Sequence, residues 1–449
     1  MNDLNRKLRS LYLTWLMDER FVRLRRALFD LRRAFSLKKH VVSVFLQLDD
    51  PYSYLLSFYL DKLMPRYQHK VQFRFYLCQA LGGEFMPQPG MLAEYALQDA
   101  KLLAKEFGVP FLDVGDTPAV EFRRPLLDFL ADEHDEEDFP ETFVNTLRLY
   151  WRGDTEGVSR LLSRPGGGSD ATNVLIGRNQ LLLRKMGHYN CATMQYMGEW
   201  YWSTDRLMYL VRLLDRQKLN RFKEPIPEIA SMVEAMKLKL PATPPAAAKA
   251  LPSLEMFYSF RSPYSYIALK STFAIARTFG LHLEVRPVLP MVMRGLSVPK
   301  PKILYIVKDA NREAKRQKVP FGRIADPLGA GAERCMAAYY YAKSQNRHYD
   351  FLLEAGKAIW AEAIDVSSDD GMQVVAERAG LFWPELQESL SDEHWRHEVK
   401  KNREILSEAG LWGVPVLKIG EQAFWGQDRD WLLAHAIEDL CQGSEGIMI

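Results

Sequence analysis

Cysteine is scarce in this chain. Its 449 residues hold four, Cys78, Cys191, Cys335 and Cys441, and no two of them form C-x-x-C. That spacing excludes the usual dithiol redox motif and the paired-cysteine zinc ribbon. No disulfide framework is evident, so a reducing, cytoplasmic compartment is expected. No apolar run approaches the ~18 residues that a membrane span requires. Residues 1–39 are charged throughout and lack a clean apolar core region, so no signal peptide is expected. Net charge is nearly absent at +2, which leaves no global field for nucleic acid or membrane. What remains is ordinary globular composition, 47% hydrophobic and 26% charged, over a length that suits two to three domains.

Charge is concentrated at one end. Residues 1–40 carry 11 Lys/Arg against four Asp/Glu, a balance of +7, so the rest of the chain carries −5. Residues 8–35 read as amphipathic helix, with Leu24, Leu28 and Leu31 at helical spacing. Two readings are open. One is a basic surface helix that touches anionic lipid or a partner. The favoured one is a helical extension packed on the first domain, with solvated arginines.

The rest of the chain repeats itself. Asp49-Asp50-Pro51-Tyr52-Ser53-Tyr54 is answered 212 residues later by Arg261-Ser262-Pro263-Tyr264-Ser265-Tyr266. Val109-Pro110-Phe111 is answered by Val319-Pro320-Phe321, Trp151 by Trp360, and Trp202 to Arg206 by Trp425 to Arg429. Four matches in order imply an internal duplication. A Pro/Ala stretch from Pro241 to Ala248 suits a stiff linker. The expected organisation is a basic helical extension (1–40), a first domain (41–240), a linker (241–250) and a second domain (251–449). Each copy reads as strand, Pro-started helix, strand, helical block, strand containing or lacking a proline, turn, strand and closing helix. That order is the α/β thioredoxin plan with an α-helical insertion.

Three motifs in the second copy resemble a known family. Phe257 to Tyr266, Leu304-Tyr305-Ile306-Val307-Lys308-Asp309, and Gly413-Val414-Pro415-Val416 with Phe424 to Arg429 look like 2-hydroxychromene-2-carboxylate isomerases and kappa-class glutathione transferases. These are DsbA-like thioredoxin folds. The resemblance covers essentially all of 254–440, and the first copy resembles the family only as a degenerate relative. It implies glutathione as cofactor. Ser262 would hold its thiol, and Val414, before a cis Pro415, would hold its backbone. Gln427 and Asp428 would grip the γ-glutamyl end. The segment from Ser297 to Lys302 is shorter than the family's and has no Asn, which leaves the glycyl-end contacts open, with Lys302 a further cofactor-binding candidate.

The residue types suit thiol chemistry. Serine followed by proline is a helix-start pattern, and a helix N-terminus favours an anion by roughly 0.3–2 kcal/mol. A thiol of pKa ~8.5 placed there shifts towards the nucleophilic thiolate. Pro415 stands inside an apolar β run, where proline normally does not belong; a cis peptide, accessible at about 0.5–1 kcal/mol, would turn Val414 toward an extended ligand, and an edge-strand proline in trans is the alternative. Asp428 reads as the N-cap of the closing helix. In the first copy Asp50 replaces Ser262 and Ala192 replaces Pro415. Like charges ~4 Å apart repel by roughly 1–4 kcal/mol, so Asp50 opposes a thiolate. A cis bond before Ala192 would cost about 2.5–4 kcal/mol. The first copy therefore reads as silent.

Other signals carry less. His394-x-x-His397 lies in a charged stretch and reads as a solvated face, and no metal site is expected. His188 and Cys191 are too few ligands for zinc. The acidic run Glu133 to Asp138 reads as a solvated loop. Ser163 to Ser169 is a glycine-rich connection without the lysine of a phosphate loop. The leading expectation is a glutathione-dependent isomerase or transferase acting on a small aromatic or electrophilic compound. Tyr339, Tyr340, Tyr341 and Trp360 read mainly as core and secondarily as lining for its pocket. A non-catalytic scaffold is the rival, and a thiol-disulfide oxidoreductase the weaker third. Oligomerisation is left open.

Overall fold

The computed structural model describes residues 3–35, 39–113, 116–163, 169–243, 245 and 251–443. Most of the glycine-rich connection and of the Pro/Ala linker lies outside them. The chain divides into two compact units. One comprises Arg25–Lys237, and the other Leu238–Met448 together with Met1–Leu24.

The first unit holds a four-stranded sheet in the order β2-β1-β3-β4, from β1 (His40–Leu46), β2 (Val71–Leu77), β3 (Thr193–Tyr196) and β4 (Glu199–Trp202). β1 pairs parallel with β2 and antiparallel with β3, and β3 and β4 form a hairpin. β1 is buried almost throughout, as a central strand covered on both faces must be. β2 lies at the edge and alternates, with Val71, Phe73, Phe75 and Leu77 inward. The Pro-started helix α3 (Pro51–Tyr67) follows β1 and is capped by the Asp50 carboxylate.

The second unit repeats that topology, β6-β5-β7-β8, from β5 (Leu254–Tyr258), β6 (Leu283–Pro287), β7 (Val416–Ile419) and β8 (Gln422–Trp425). β5 pairs parallel with β6 and antiparallel with β7. Helix α11 (Pro263–Phe279) follows β5, and α18 (Asp430–Cys441) closes the unit. Between β6 and β7 lies the helical block, which begins with α12 (Lys300–Gln317). Among the described residues no helix is long and apolar enough to cross a membrane.

The N-terminal segment departs from expectation. Helix α1 (Asp3–Met17) belongs to the second unit rather than to the first, with Leu13 and Met17 buried there. Helix α2 (Glu19–Phe35) leaves Leu24, Leu28 and Leu31 half exposed. Its anchorage in the first unit is partly polar. Arg26 makes a bidentate ion pair with Glu199 at 2.6 and 2.9 Å, and Gln217 donates to Asp30. Apolar spacing alone could not reveal that.

Candidate functional site

Ser262 stands where the chain leaves β5 and enters α11. Its extended backbone and side-chain oxygen make it the N-cap, accepting from the Ser265 N–H at 3.1 Å. Its hydroxyl donates to the Val414 carbonyl at 3.3 Å, which ties the helix start to the segment before β7. The Val414–Pro415 peptide is cis. Gly413 is required beside it, because a Cβ there would lie 2.2 Å from the Trp425 ring.

Ser262 and Val414 open onto one cavity of about 150 Å³, whose apolar walls include Met291, Ile303, Trp360 and Leu13. Three of its polar lining groups have buried atoms with no hydrogen-bond partner: Ser259 Oγ, Arg294 Nε and Trp360 Nε1. Buried polar atoms are almost always paired with protein or with water, so these three are donors and acceptors that solvent or a ligand could engage. Burial pushes the Arg294 guanidinium down to about 10, and it stays cationic at neutral pH. The neighbouring Arg261 makes a bidentate pair with Asp326 at 2.8 and 3.1 Å, with both side chains mostly buried. No cysteine lines the cavity. Cys335 is buried elsewhere in the unit, and Cys441 is half-buried on α18.

The other candidates lie outside that lining. Gln427 is 1% exposed and both ends of its amide are engaged: Gln317 donates to its oxygen at 2.5 Å, and it donates to Glu313 at 3.1 Å. Asp428 is not the cap of the closing helix, which starts at Asp430. The Asp428 carboxylate instead lies beside Gly426, where φ is +124° and a Cβ would stand 2.6 Å from its Oδ1. Arg429 pairs with Asp428 at 3.6 Å. Asp430 instead accepts from the Trp431 N–H, and burial raises its carboxyl to about 6. Lys302 is buried on α12 with its ammonium 5.4 Å from the Trp412 ring, and burial lowers it to about 8.

Of the aromatics in the helical block only Trp360 lines the cavity. Tyr339 is core and donates to the Val285 carbonyl, Tyr340 accepts from Asn402, and Tyr341 donates to Glu385 at the surface. Ser259, Arg294 and Leu13 were missed by the sequence reading. His394 and His397 are exposed, and no cluster of three potential metal ligands exists among the described residues. His188 accepts from the Asn190 N–H.

Residues 253–438 match the model of the DSBA-like thioredoxin domain, so the second unit carries a domain of that class. Its relatives by sequence are enzymes. A 2-hydroxychromene-2-carboxylate isomerase of Sphingobium xenophagum is 28% identical over 195 residues, 41% of this chain and 98% of that protein. Glutathione S-transferase kappa 1 of Homo sapiens is 23% identical, over 42% of this chain and 93% of its own. A solved structure of 2-hydroxychromene-2-carboxylate isomerase is 22% identical, covers 43% of this chain and 97% of its own, and superposes with a TM-score of 0.38.

Proposed function

We propose that the second unit is a glutathione-dependent isomerase or transferase acting on a small aromatic or electrophilic compound. The observation that carries this reading is the cavity at Ser262, with a hydroxyl at a helix start, three unpaired buried polar atoms and apolar walls. No cysteine stands in that lining, which fits a thiol brought by the ligand. Glutathione, when bound, would supply the nucleophilic sulfur.

The chain's own groups would divide the remaining work. The Ser262 hydroxyl would turn from the Val414 carbonyl to the sulfur, and the helix start would favour its anionic form. The Val414 backbone would hold the tripeptide. Asp428 would meet its α-ammonium and Lys302 its glycyl carboxylate. Gln427 would act at one remove, by fixing the buried Glu313 beside Arg316. Trp360, Ile303 and Met291 would exclude water from the electrophile.

The first unit we read as a degenerate copy of the same fold, kept as a structural or partner-binding module. Its sheet has the same strand order and the same pairing senses. A cytoplasmic location fits the four free thiols. Titration calorimetry with glutathione tests the reading. Heat from the parent chain that is lost in Ser262→Asp supports it, whereas no heat from the parent would favour a scaffold without catalysis.

A further inference from the structure

Helix α1 is docked along a single ridge of α12. Ile303, Val307, Asn311 and Lys315 follow one another at four-residue intervals and so share one face. Ile303 and Val307 line the Ser262 cavity together with Leu13 of α1. One turn further along α1, the Met17 carbonyl accepts from Asn311 Nδ2 at 3.3 Å. Beyond the helix end, Glu19 pairs with Lys315 at 2.9 Å. Asn311 is itself buried, so this contact is built in and not a surface encounter. Leu13 is 6% exposed and Met17 5%, while Leu11, Tyr12 and Trp15 on the same helix are exposed. The segment that precedes the first unit in sequence thus contributes a side chain to the cavity of the second.

We infer that Leu13 is a specificity-determining wall of the thiol site, limiting the bulk of the electrophile that reaches the sulfur position. This rests on the functional reading above only for the nature of the ligand. The wall itself is tested without glutathione. Ser262→Cys, on a Cys441→Ser background, places a reporter thiol in the cavity. Its alkylation is timed with small iodoacetamide and with bulkier N-phenylmaleimide, each reagent forming a thioether, with iodide leaving in the first case and a proton entering the maleimide ring in the second.

Cavity side chains discriminate by about tenfold or more for small changes in ligand bulk. Leu13→Ala is therefore expected to raise the maleimide-to-iodoacetamide rate ratio by about tenfold, and Leu13→Trp to lower it comparably. Leu11→Ala, on the exposed face, leaves the ratio unchanged. A ratio in Leu13→Ala within twofold of its parent overturns the inference, whether or not Leu13→Trp folds. Calorimetry with glutathione reports on the functional reading separately. A chain that binds no glutathione yet shows the altered ratio keeps the wall and loses the enzyme.

Discussion

The starts of α3 and α11 share their supports and differ in what they present. Tyr52 donates to Asp99 at 2.7 Å, and Tyr264 to Asp309 at 2.8 Å. Tyr54 donates to the Pro110 carbonyl, as Tyr266 does to that of Pro320. Ser53 Oγ accepts from the Gln47 N–H, and Ser265 Oγ from that of Ser259. The ion pair at the residue before the cap is reversed in sign: Asp49 with Arg123 in one unit, Arg261 with Asp326 in the other. The cap is a carboxylate at Asp50 and a hydroxyl at Ser262. Trp151 donates its indole N–H to the Leu48 carbonyl, whereas that of Trp360 is unpartnered in the cavity. The bonds that hold the helix are common to both units, and the groups that would meet a ligand are not. Similar support can thus carry different chemistry.

The largest effect is expected at the cap. Ser262→Asp brings into the second unit the charge found in the first. At ~4 Å from a thiolate this costs roughly 4 kcal/mol near a protein surface, about a thousandfold in affinity. Calorimetry showing undiminished glutathione binding in that variant would break the comparison. Next come the reversed ion pairs. Arg261→Ala removes the bidentate partner of the mostly buried Asp326, leaving it the Leu328 N–H, and should lower stability by about 3 kcal/mol. Arg123→Ala leaves the more exposed Asp49 and should cost under about 1 kcal/mol. Urea unfolding of the two variants measures the difference.

Asp50 gives a pH-dependent test. Burial raises its carboxyl to about 6 against an ordinary 3.8, so the folded protein holds this proton more tightly than the unfolded chain. The associated stabilisation is complete below about pH 4 and is lost as pH rises through about 6. Asp50→Asn keeps a capping oxygen and removes the charge. The variant should therefore gain on the parent by about 2 kcal/mol between pH 4 and 7. Asp430 titrates in the same range but is present in both proteins, and it cancels in the difference. Parallel stability curves would show that Asp50 is well solvated.

The smallest effect distinguishes the two indoles. Trp151→Phe leaves the Leu48 carbonyl without its donor and should cost about 1–2 kcal/mol. Trp360→Phe removes an N–H that has no protein partner, so thermal stability should hardly change. Glutathione or substrate affinity is then where a loss should appear.

The sequence was most informative where a function of local pattern is at stake. Pro263 and Ser262 announce a helix start, and Gly413 to Val416 with Trp425 announce the facing segment. Alternation in 71–77 and its near absence in 40–46 reflect edge and central strands. What escaped depends on distant partners. The use of Gln427 is decided by Gln317 and Glu313, more than 100 residues earlier. The closing helix starts at Asp430, two residues beyond Asp428, a shift that a capping residue type does not by itself specify. Leu24, Leu28 and Leu31 show that helical spacing establishes a face without establishing what covers it.

The position of Leu13 bears on how this protein can be taken apart. Cutting at the Pro/Ala linker yields a C-terminal fragment that contains the whole matched domain, and that fragment is a natural choice for expression. It would leave out one side of its own pocket. A screen run on it would admit ligands that the intact chain refuses, so the smallest faithful object of study is not one continuous stretch of sequence.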